Sequence, residues 1–233
     1  MPAIQYKLNT VKNTASEPGN TKAAQAKAST AKPSTAKPSQ APVRQRLLEA
    51  AMTLFHEHGM VATTIATIAE AANVPLGNVY YHFRSKDDLI AAVIQARREE
   101  VRAELALAAC EANPLERLRS LIRDSKRNRD LLTAHGCPYA SLAQGLRDVQ
   151  NQRADDAGEL LRLHIDFAEV QFQALHLPKP RALGAEFISR LYGAFTLANA
   201  MGDASFLDAQ LKSIEAWIKQ VAGGNTKTLT ARG

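Results

Sequence analysis

TTIATIAEAANVPLGNVYYHFRSK, residues 63–86, predicts two short helices joined by a tight turn, the helix-turn-helix arrangement. Apolar residues recur at i, i+3, i+4 and i+7 of the first helix: Ile65, Ile68, Ala69 and Ala72. Thr64 precedes this stripe as a helix N-cap, and Asn73 follows it as a residue that tolerates the left-handed backbone of a turn. Pro75 is then expected at the first position of a second helix over residues 75–83, where its missing N–H costs nothing.

The second helix is too polar and too aromatic to lie wholly in a core. Val79 and Phe83 form an i, i+4 pair that can face the first helix. Six residues are left facing outward: Leu76, Gly77, Asn78, Tyr80, Tyr81 and His82. Glycine inside a helix costs about 1 kcal/mol relative to alanine, so the glycine in this set indicates a close approach to the backbone. The two tyrosines suit thymine methyls and phosphate oxygens, and the pattern therefore predicts a DNA-facing helix.

Residues 78–90, NVYYHFRSKDDLI, resemble the recognition helix and following turn of the tetracycline-repressor (TetR) family of transcriptional regulators. The resemblance extends over residues 43–94 and implies double-stranded operator DNA as the partner. Together with the outward positions, it implies DNA contacts from Thr64, Leu76, Gly77, Asn78, Tyr80, Tyr81, His82 and Lys86. Asn78 and Tyr80 are expected to read bases. Phosphates are expected to be held by Thr64, Tyr81, His82 and Lys86.

Leu76 departs from the polar residue that often occupies its position in the family. Its side chain can contact a thymine methyl, but it donates no hydrogen bond. Base readout at this position is therefore restricted to an apolar contact.

The chain of 233 residues is long enough for one large or two small domains. No apolar run reaches the roughly 18 residues of a membrane-spanning helix and no signal-peptide pattern opens the chain, so we expect a cytoplasmic protein without a membrane partner. Cys110 and Cys137 match no metal or redox spacing. Strand-like alternation does not recur, which predicts an all-α fold. We expect a basic tail at residues 1–42, a three-helix DNA-binding head at 43–88, a ligand-binding and dimerisation body at 89–222 and a frayed end at 223–233.

Residues 1–42 differ in composition from the rest of the chain. They hold five of the ten prolines, six lysines and one acid, so they carry +5 of the formal charge of +6. With little apolar surface to offset the entropy of ordering, the segment is predicted to be disordered. Two interpretations remain open: an arm that follows the DNA backbone and adds salt-dependent affinity, or a solvated tail, including one that results from a start codon placed too far upstream.

A first helix is predicted over residues 43–58, ended by Gly59, with Leu54 and His58 on its apolar face. The expected core of the head is Leu47, Ala51, Phe55, Ile65, Ile68, Val74, Val79 and Phe83. Arg44 and Arg46, at the start of this helix, can reach phosphate. Residues 43–90 carry four basic and five acidic side chains, a net charge of −1, so specificity has to come from a few placed groups.

Ser85 begins a long helix, to about residue 109, that connects the head to a helical body. Residues 135–146, HGCPYASLAQGL, resemble a segment in the ligand-binding domains of one TetR branch. A cavity for a small apolar or amphipathic effector is expected among Leu105, Leu118, Tyr139, Leu163, His164, Phe167 and Phe195. A tightly packed body with its polar groups in water is the alternative. The expected inward residues of a helix over residues 151–176 are Leu160, Leu163, Phe167, Val170, Ala174 and Leu175.

A helix over residues 114–132 sets apolar residues on one side and a basic run on the other: Arg117, Arg119, Arg123, Lys126, Arg127 and Arg129. The run is either a second nucleic-acid surface or a solvated helix face. Cys137, near the start of the next helix, is either a thiol of lowered pKa that responds to oxidants or a buried and inert one.

The last predicted helix carries apolar residues at a heptad spacing: Leu207, Leu211, Ile214, Ile218 and Val221. Such a seam packs helix against helix, either within the chain or across a two-fold axis. The TetR resemblance implies a homodimer closed by a four-helix interface of the last two helices. The expected interface residues are Leu191, Gly193, Ala194, Leu207, Leu211, Ile214 and Ile218.

No catalytic, metal-binding or cofactor-binding motif occurs in the sequence. The prediction is therefore a DNA-binding regulator rather than an enzyme, a repressor released when an effector tilts the helix that follows Ser85. Two alternatives remain: an enzyme that uses His135, Cys137 and His164, and a constitutive architectural protein that binds DNA without an inducer.

Overall fold

Helices account for all regular secondary structure in the residues that the structure describes, as the sequence predicts. The computed structural model describes residues 42–230, with side chains to residue 223. The helices are α1 (Val43–Glu57), α2 (Gly59–Ala62), α3 (Ile65–Ala71), α4 (Leu76–His82), α5 (Lys86–Ala109), α6 (Pro114–Arg127), α7 (Arg129–His135), α8 (Pro138–Asp148), α9 (Ala154–Ala174), α10 (Pro180–Met201) and α11 (Ala204–Thr230). The predicted disorder of residues 1–42 falls, apart from Pro42, outside the described residues. The end predicted to fray from residue 223 is described to Thr230 as part of α11, and its fraying stays a prediction.

The local signals of the helix-turn-helix act as predicted. The Thr64 hydroxyl caps α3 by accepting a hydrogen bond from the Thr67 amide at 3.1 Å. Asn73 turns the chain in the left-handed region, with φ of 51°. Pro75 stands one position before α4, as its N-cap residue, rather than at the first helical position. These elements end α3, turn the chain and start α4, which is the order of elements in a helix-turn-helix.

The core of the head contains the residues expected from the apolar pattern. Seven of the eight are buried: Leu47, Ala51, Phe55, Ile68, Val74, Val79 and Phe83. Ile65 is half-buried at the edge of this core. His58 was expected on the apolar face of α1 and is instead exposed, because α1 ends at Glu57 and the chain turns at Gly59, where φ is +78°.

The long connecting helix and the basic segment follow the predicted caps, with one additional break. The Ser85 hydroxyl caps α5 by accepting from the Asp88 amide at 3.0 Å. The single helix expected over residues 114–132 is divided into α6 and α7 at Asn128. The Asn128 side chain donates to the Asp124 carbonyl at 3.1 Å, a local bond that competes with helix continuation.

The buried face of α9 differs from the predicted one. Its buried residues are Ala154, Ala157, Leu160, His164, Ala168, Gln171 and Phe172. Val170 was expected inward and is 57% exposed, and Ala174 is also exposed. Both buried polar side chains bond to carbonyls one turn earlier, His164 Nδ1 to Leu160 and Gln171 Nε2 to Phe167. Because these bonds satisfy the polar groups, a face that contains them can lie in the core.

The heptad seam of α11 packs inside the protomer and not against a second copy. Six of the seven residues predicted at a dimer interface are buried within the single chain: Leu191, Ala194, Leu207, Leu211, Ile214 and Ile218. Gly193 alone of that set is exposed. The prediction of these six as partner contacts is therefore wrong. An apolar seam indicates that a helix is packed, but it does not identify the helix that packs against it.

Candidate nucleic-acid interface

The outer face of α4 carries a group of exposed apolar and polar side chains. Leu76 is 48% exposed, Tyr80 is 54% exposed and Tyr81 is 88% exposed. Gly77 and Asn78 are exposed beside them, and His82 is half-buried against the Tyr81 ring. Large apolar side chains at this degree of exposure on neighbouring turns mark a contact surface. The residues predicted to face outward on this helix are therefore accessible, apart from the half-buried His82.

Two buried residues hold this face in place. Val79 is fully buried and Phe83 is nearly so, which fixes α4 on the core of the head. The Arg44 guanidinium lies 4.9 Å from the centre of the Phe83 ring, a cation–π contact. The start of α1 is thereby held beside the end of α4, and Arg44 itself remains exposed.

Two of the four cations of the head are bound to backbone carbonyls instead of being available to phosphate. Lys86 Nζ donates to the Thr63 carbonyl at 2.7 Å and to the Met60 carbonyl at 3.0 Å. Partial burial lowers the pKa of Lys86. Arg46 donates to the Ala72 carbonyl at 3.2 Å, at the end of α3. Lys86 was expected to hold a phosphate, but its geometry gives it first an intramolecular role that ties α5 to the start of α3.

Thr64 is also engaged within its own turn. Its amide donates to Thr67 Oγ1 at 3.0 Å, and its hydroxyl lies 3.3 Å from the same oxygen. A phosphate oxygen only accepts hydrogen bonds, so a contact with Thr64 requires one of these bonds to open. The capping role of Thr64 is the one that the geometry supports.

We expect Lys86→Ala to destabilise the full-length protein by about 1–2 kcal/mol, because the two carbonyls lose a charged donor. Arg84→Ala is the matched control: Arg84 is exposed two residues away, so its loss leaves the free energy of unfolding unchanged. Urea denaturation of both variants measures the difference. Wild-type stability in the Lys86 variant would contradict the intramolecular role.

The body contains a buried polar cluster that includes some of the predicted pocket residues. The ring centres of Tyr139 and His164 lie 5.5 Å apart, those of His164 and Tyr192 lie 6.0 Å apart, and those of Tyr192 and Phe195 lie 5.5 Å apart. Glu104 Oε2 is 3.8 Å from His164 Nε2. His164 Nδ1 carries the proton because it faces the Leu160 carbonyl, which only accepts.

Not every predicted pocket residue belongs to this group. Leu105, Leu163 and Phe167 are half-buried, and Leu118 is fully buried on α6. Tyr192 and Glu104 were missed by sequence reasoning. Tyr192 carried a usable signal, since it is an aromatic residue with a polar tip directly after Leu191 on an otherwise apolar helix.

Burial keeps two groups at this cluster, the Cys137 thiol and the Tyr192 phenol, in their neutral forms. Burial raises the pKa of the Cys137 thiol to about 11, against a hydrogen bond from Tyr192 that lowers it. Burial also raises the pKa of Tyr192 well above its usual value. The thiol therefore stays protonated at neutral pH, which favours the inert interpretation of Cys137 over the reactive one. A surface concavity of about 470 Å³ lies away from this cluster, in the head beside Leu54 and Thr67.

The head contacts the body at further places besides the connecting helix α5. His56 Nε2 lies 2.9 Å from the Gly136 carbonyl, between α7 and α8. Burial lowers the pKa of His56, and the charges of Arg97 and His135 act in the same direction. Neutral His56 can therefore donate to this carbonyl. A Cβ at Gly145 of α8 would lie 3.0 Å from Met60 Cβ, so glycine allows α8 to approach α2 closely.

Five of the six cations in the basic run of α6 and α7 are paired with acids of the same chain, and the sixth, Arg117, donates to the Glu111 carbonyl. Arg119, Lys126 and Lys219 all reach Glu215 of α11, at 2.6, 3.3 and 3.2 Å. Arg123 pairs with Glu111 and Glu116, and Arg129 with Asp208. The solvated, ion-paired face is thus favoured over a second nucleic-acid surface.

We expect Glu215→Gln to lower the free energy of unfolding by about 1–2 kcal/mol at pH 7, a value reduced by solvent screening of this partly exposed carboxylate. Its hydrogen bond with Arg119 lowers the pKa of Glu215 to about 2 in the folded chain, below the ordinary 4.5. The native state therefore binds fewer protons, and the stabilisation present above pH 4.5 is lost as the pH falls towards 2. Denaturation curves at several pH values should show the two proteins converging in acid. Glu186→Gln, which removes an exposed ion pair with Arg190, should match wild type throughout.

The sequence of the head matches that of a known protein family. Residues 47–93, from α1 into α5, match the family model of bacterial regulatory proteins of the tetR family. The head of this chain is a TetR-family DNA-binding domain. In the matched segment α3 and α4 form the helix-turn-helix, and the exposed side chains of α4 lie on its second helix.

Curated relatives are similar to about a third of this chain. The HTH-type transcriptional repressor KstR2 of Mycobacterium tuberculosis is 36% identical over 83 residues, which cover 35% of this chain and 42% of the relative. A probable acrEF/envCD operon repressor of Escherichia coli is 38% identical over 78 residues, covering 33% of this chain and 36% of the relative. The chain thus matches about two fifths of the length of these curated relatives.

Solved TetR-family structures share the fold of the body as well. SCO4454 from Streptomyces coelicolor superposes with a TM-score of 0.67 over 77% of this chain and 96% of its own, at 20% identity. A TetR-family regulator from Agrobacterium tumefaciens also reaches 0.67, over 75% of this chain and 96% of its own, at 23% identity. Among the described helices none is both long and apolar enough to cross a membrane. The described residues also contain no group of three or more His, Cys, Asp or Glu side chains placed to hold a metal ion.

Proposed function

We propose that this TetR-family protein is a cytoplasmic repressor that binds operator DNA as a homodimer and is released by a small ligand. The observation that carries the proposal is the exposed face of α4, with Leu76, Asn78 and Tyr80 on a helix anchored by buried Val79. A helix placed in the major groove reads base edges through such side chains.

The roles of the head residues follow from their exposure. Asn78 and Tyr80 read bases, Leu76 contacts a thymine methyl, and Gly77 allows the backbone to come close. Tyr81 and His82 contact phosphates. Arg44 and the exposed Arg84 are the cations that can do so without first breaking a bond to a backbone carbonyl. Thr64 and Lys86 contribute chiefly by fixing α3 and α5.

The dimer interface is proposed on the outer faces of α10 and α11. Leu197 and Met201 are 53% and 54% exposed on α10, one turn apart and in line with exposed Gly193. On α11 the exposed residues Ala209, Ser213 and Ala216 form a stripe of small side chains. A second copy can cover the apolar side chains and approach the small ones closely, which produces a four-helix interface with two-fold symmetry.

The ligand site is proposed at the cluster of Tyr139, His164 and Tyr192. Because the thiol and phenol there are neutral, an uncharged apolar molecule with one hydrogen-bonding group suits it. The cluster adjoins Cys137, which follows Gly136, and the Gly136 carbonyl faces His56 of the head. A ligand that enters must displace buried side chains, and this displacement can reach α1 directly as well as through α5.

Selection of bound fragments from genomic DNA tests the DNA-binding proposal: an enriched two-fold symmetric sequence is expected, and the absence of any enriched sequence would refute it. A panel of uncharged apolar compounds then tests the ligand proposal by operator release and by a rise in melting temperature. The Tyr192→Phe variant, which keeps the ring, should bind the same compounds more weakly.

A second candidate is a constitutive DNA-binding dimer without an effector. The low exposure of Cys137, Tyr139 and His164 favours it, since a preformed cavity is usual for a ligand site. Failure of every compound to release the operator or to raise the melting temperature would make this the better account.

A further inference from the structure

Two polar atoms in the buried cluster of the body face each other without forming a hydrogen bond. His164 Nε2 and Glu104 Oε2 lie 3.8 Å apart, a distance that exceeds hydrogen-bonding range. The His164 side chain is 5% exposed and the Glu104 side chain is 29% exposed, so the gap between the two atoms lies at the margin of the core. A separation of this size suits a third polar group that bonds to both atoms.

The proton of the His164 ring is on the nitrogen that does not face this gap. Nδ1 lies 2.9 Å from the Leu160 carbonyl, which only accepts, so Nδ1 is the donor. In the neutral ring Nε2 then has a lone pair, and an ionised carboxylate also only accepts. The gap between His164 and Glu104 is therefore bounded by two acceptors with no proton between them.

The Tyr192 hydroxyl does not supply a proton to this gap. It lies 3.5 Å from His164 Nδ1, the other nitrogen of the ring. Its hydrogen bond is directed to the Cys137 thiol, whose pKa that bond lowers. The proton of the phenol is therefore used away from Glu104.

The other two glutamates of α5 accept hydrogen bonds from donors of the same helix, which sets Glu104 apart. Arg97 donates to Glu100 at 2.8 Å, and Gln95 Nε2 donates to Glu99 at 3.0 Å. Glu104 instead faces the lone pair of a histidine. A half-buried carboxylate in this setting is a strong acceptor for a ligand, because hydrogen bonds to charged groups are stronger than those between neutral groups.

We infer that the effector is an uncharged apolar molecule whose polar group is a hydrogen-bond donor, such as an alcohol, a phenol or a primary amide. This inference rests on the proposed function, which places the ligand site at this cluster. A hydroxyl in the gap donates to the Glu104 carboxylate, and an amide nitrogen with two protons donates to Glu104 and to His164 Nε2. A ketone, ester or ether of the same shape only accepts, so it would place a third lone pair between the two acceptors.

The test compares matched pairs of compounds by calorimetric titration of the full-length protein: para-cresol against its methyl ether, and cyclohexanol against cyclohexanone. The hydroxyl compound of each pair is expected to bind at least about tenfold more tightly. Glu104→Gln should abolish this preference, because its amide can itself donate to His164 Nε2 and close the gap. Glu99→Gln, at an exposed position of the same helix, is the matched control and should keep the preference.

Equal binding within each pair, or tighter binding of the ketone and the ether, would overturn the inference while leaving the ligand site in place. An unchanged preference in Glu104→Gln would also overturn it. If no compound of either pair bound, the ligand site itself would be refuted, and the inference with it.

A measurement without ligand tests the same geometry. Nitrogen NMR of the full-length protein with isotope-labelled histidine reports which ring nitrogen of His164 carries the proton, and the signal is assigned by its absence in a His164→Asn variant. A protonated Nδ1 and an unprotonated Nε2 are expected at neutral pH. A proton on Nε2 would place a donor in the gap and would overturn the inference.

Discussion

Leu211→Asp is expected to unfold the protein, whereas Leu197→Asp is expected to produce a folded monomer. Leu211 is 0% exposed in the α11 seam, so aspartate there would place an unpaired carboxylate in the core. Such a change costs on the order of 4–5 kcal/mol or more, a large part of the stability of a domain. Leu197 is 53% exposed on α10, where aspartate is solvated in the monomer and is repelled by its copy across a two-fold axis.

Circular dichroism and sedimentation velocity separate the two outcomes. Leu107→Asp is the control for a charge at an exposed apolar position, because Leu107 is 69% exposed on α5. This substitution should leave the dimer intact. If the Leu197→Asp variant remained a dimer, the outer face of α10 would not be the dimer interface. If Leu211→Asp gave a folded monomer, the apolar seam of α11 would instead be the interface between two copies.

Tyr80→Ala and Asn78→Ala are expected to lower operator affinity sharply while leaving affinity for random DNA nearly unchanged. Each base contact contributes about 1–3 kcal/mol of discrimination, and a dimer makes it in both half-sites, so each variant loses about 2–6 kcal/mol on the operator. Both side chains are exposed, and their removal should not alter the melting temperature. Titration of the operator and of a scrambled duplex at one salt concentration measures the two affinities.

Tyr81→Phe is the matched control for these variants. It removes one hydroxyl from a side chain that is 88% exposed and that is assigned to a phosphate. The variant should therefore lose the same factor of affinity for the operator and for the scrambled duplex. Unchanged specificity in the Tyr80 and Asn78 variants would show that another face of the head reads the bases.

The sequence by itself determined the secondary structure and the core of the head, because the residues that specify them act on near neighbours in the chain. The cap at Thr64, the left-handed turn at Asn73 and the core pair Val79 and Phe83 depend on neighbours within about one helical turn. The outward face of α4 follows from the same helical period. These features were predicted before the tertiary structure and agree with it, apart from the one-residue shift at Pro75.

Only the tertiary structure decided what the longer side chains and the apolar seams contact. Lys86 meets the carbonyls of Met60 and Thr63, 26 and 23 residues away, a destination that helical periodicity does not encode. The same holds for the α11 seam, whose apolar spacing is equally compatible with packing inside one chain or between two. The buried face of α9 differs from the predicted one because His164 and Gln171 form hydrogen bonds with carbonyls of their own helix. These bonds reduce the free-energy cost of burying a polar side chain, and a hydrophobic pattern does not take that reduction into account.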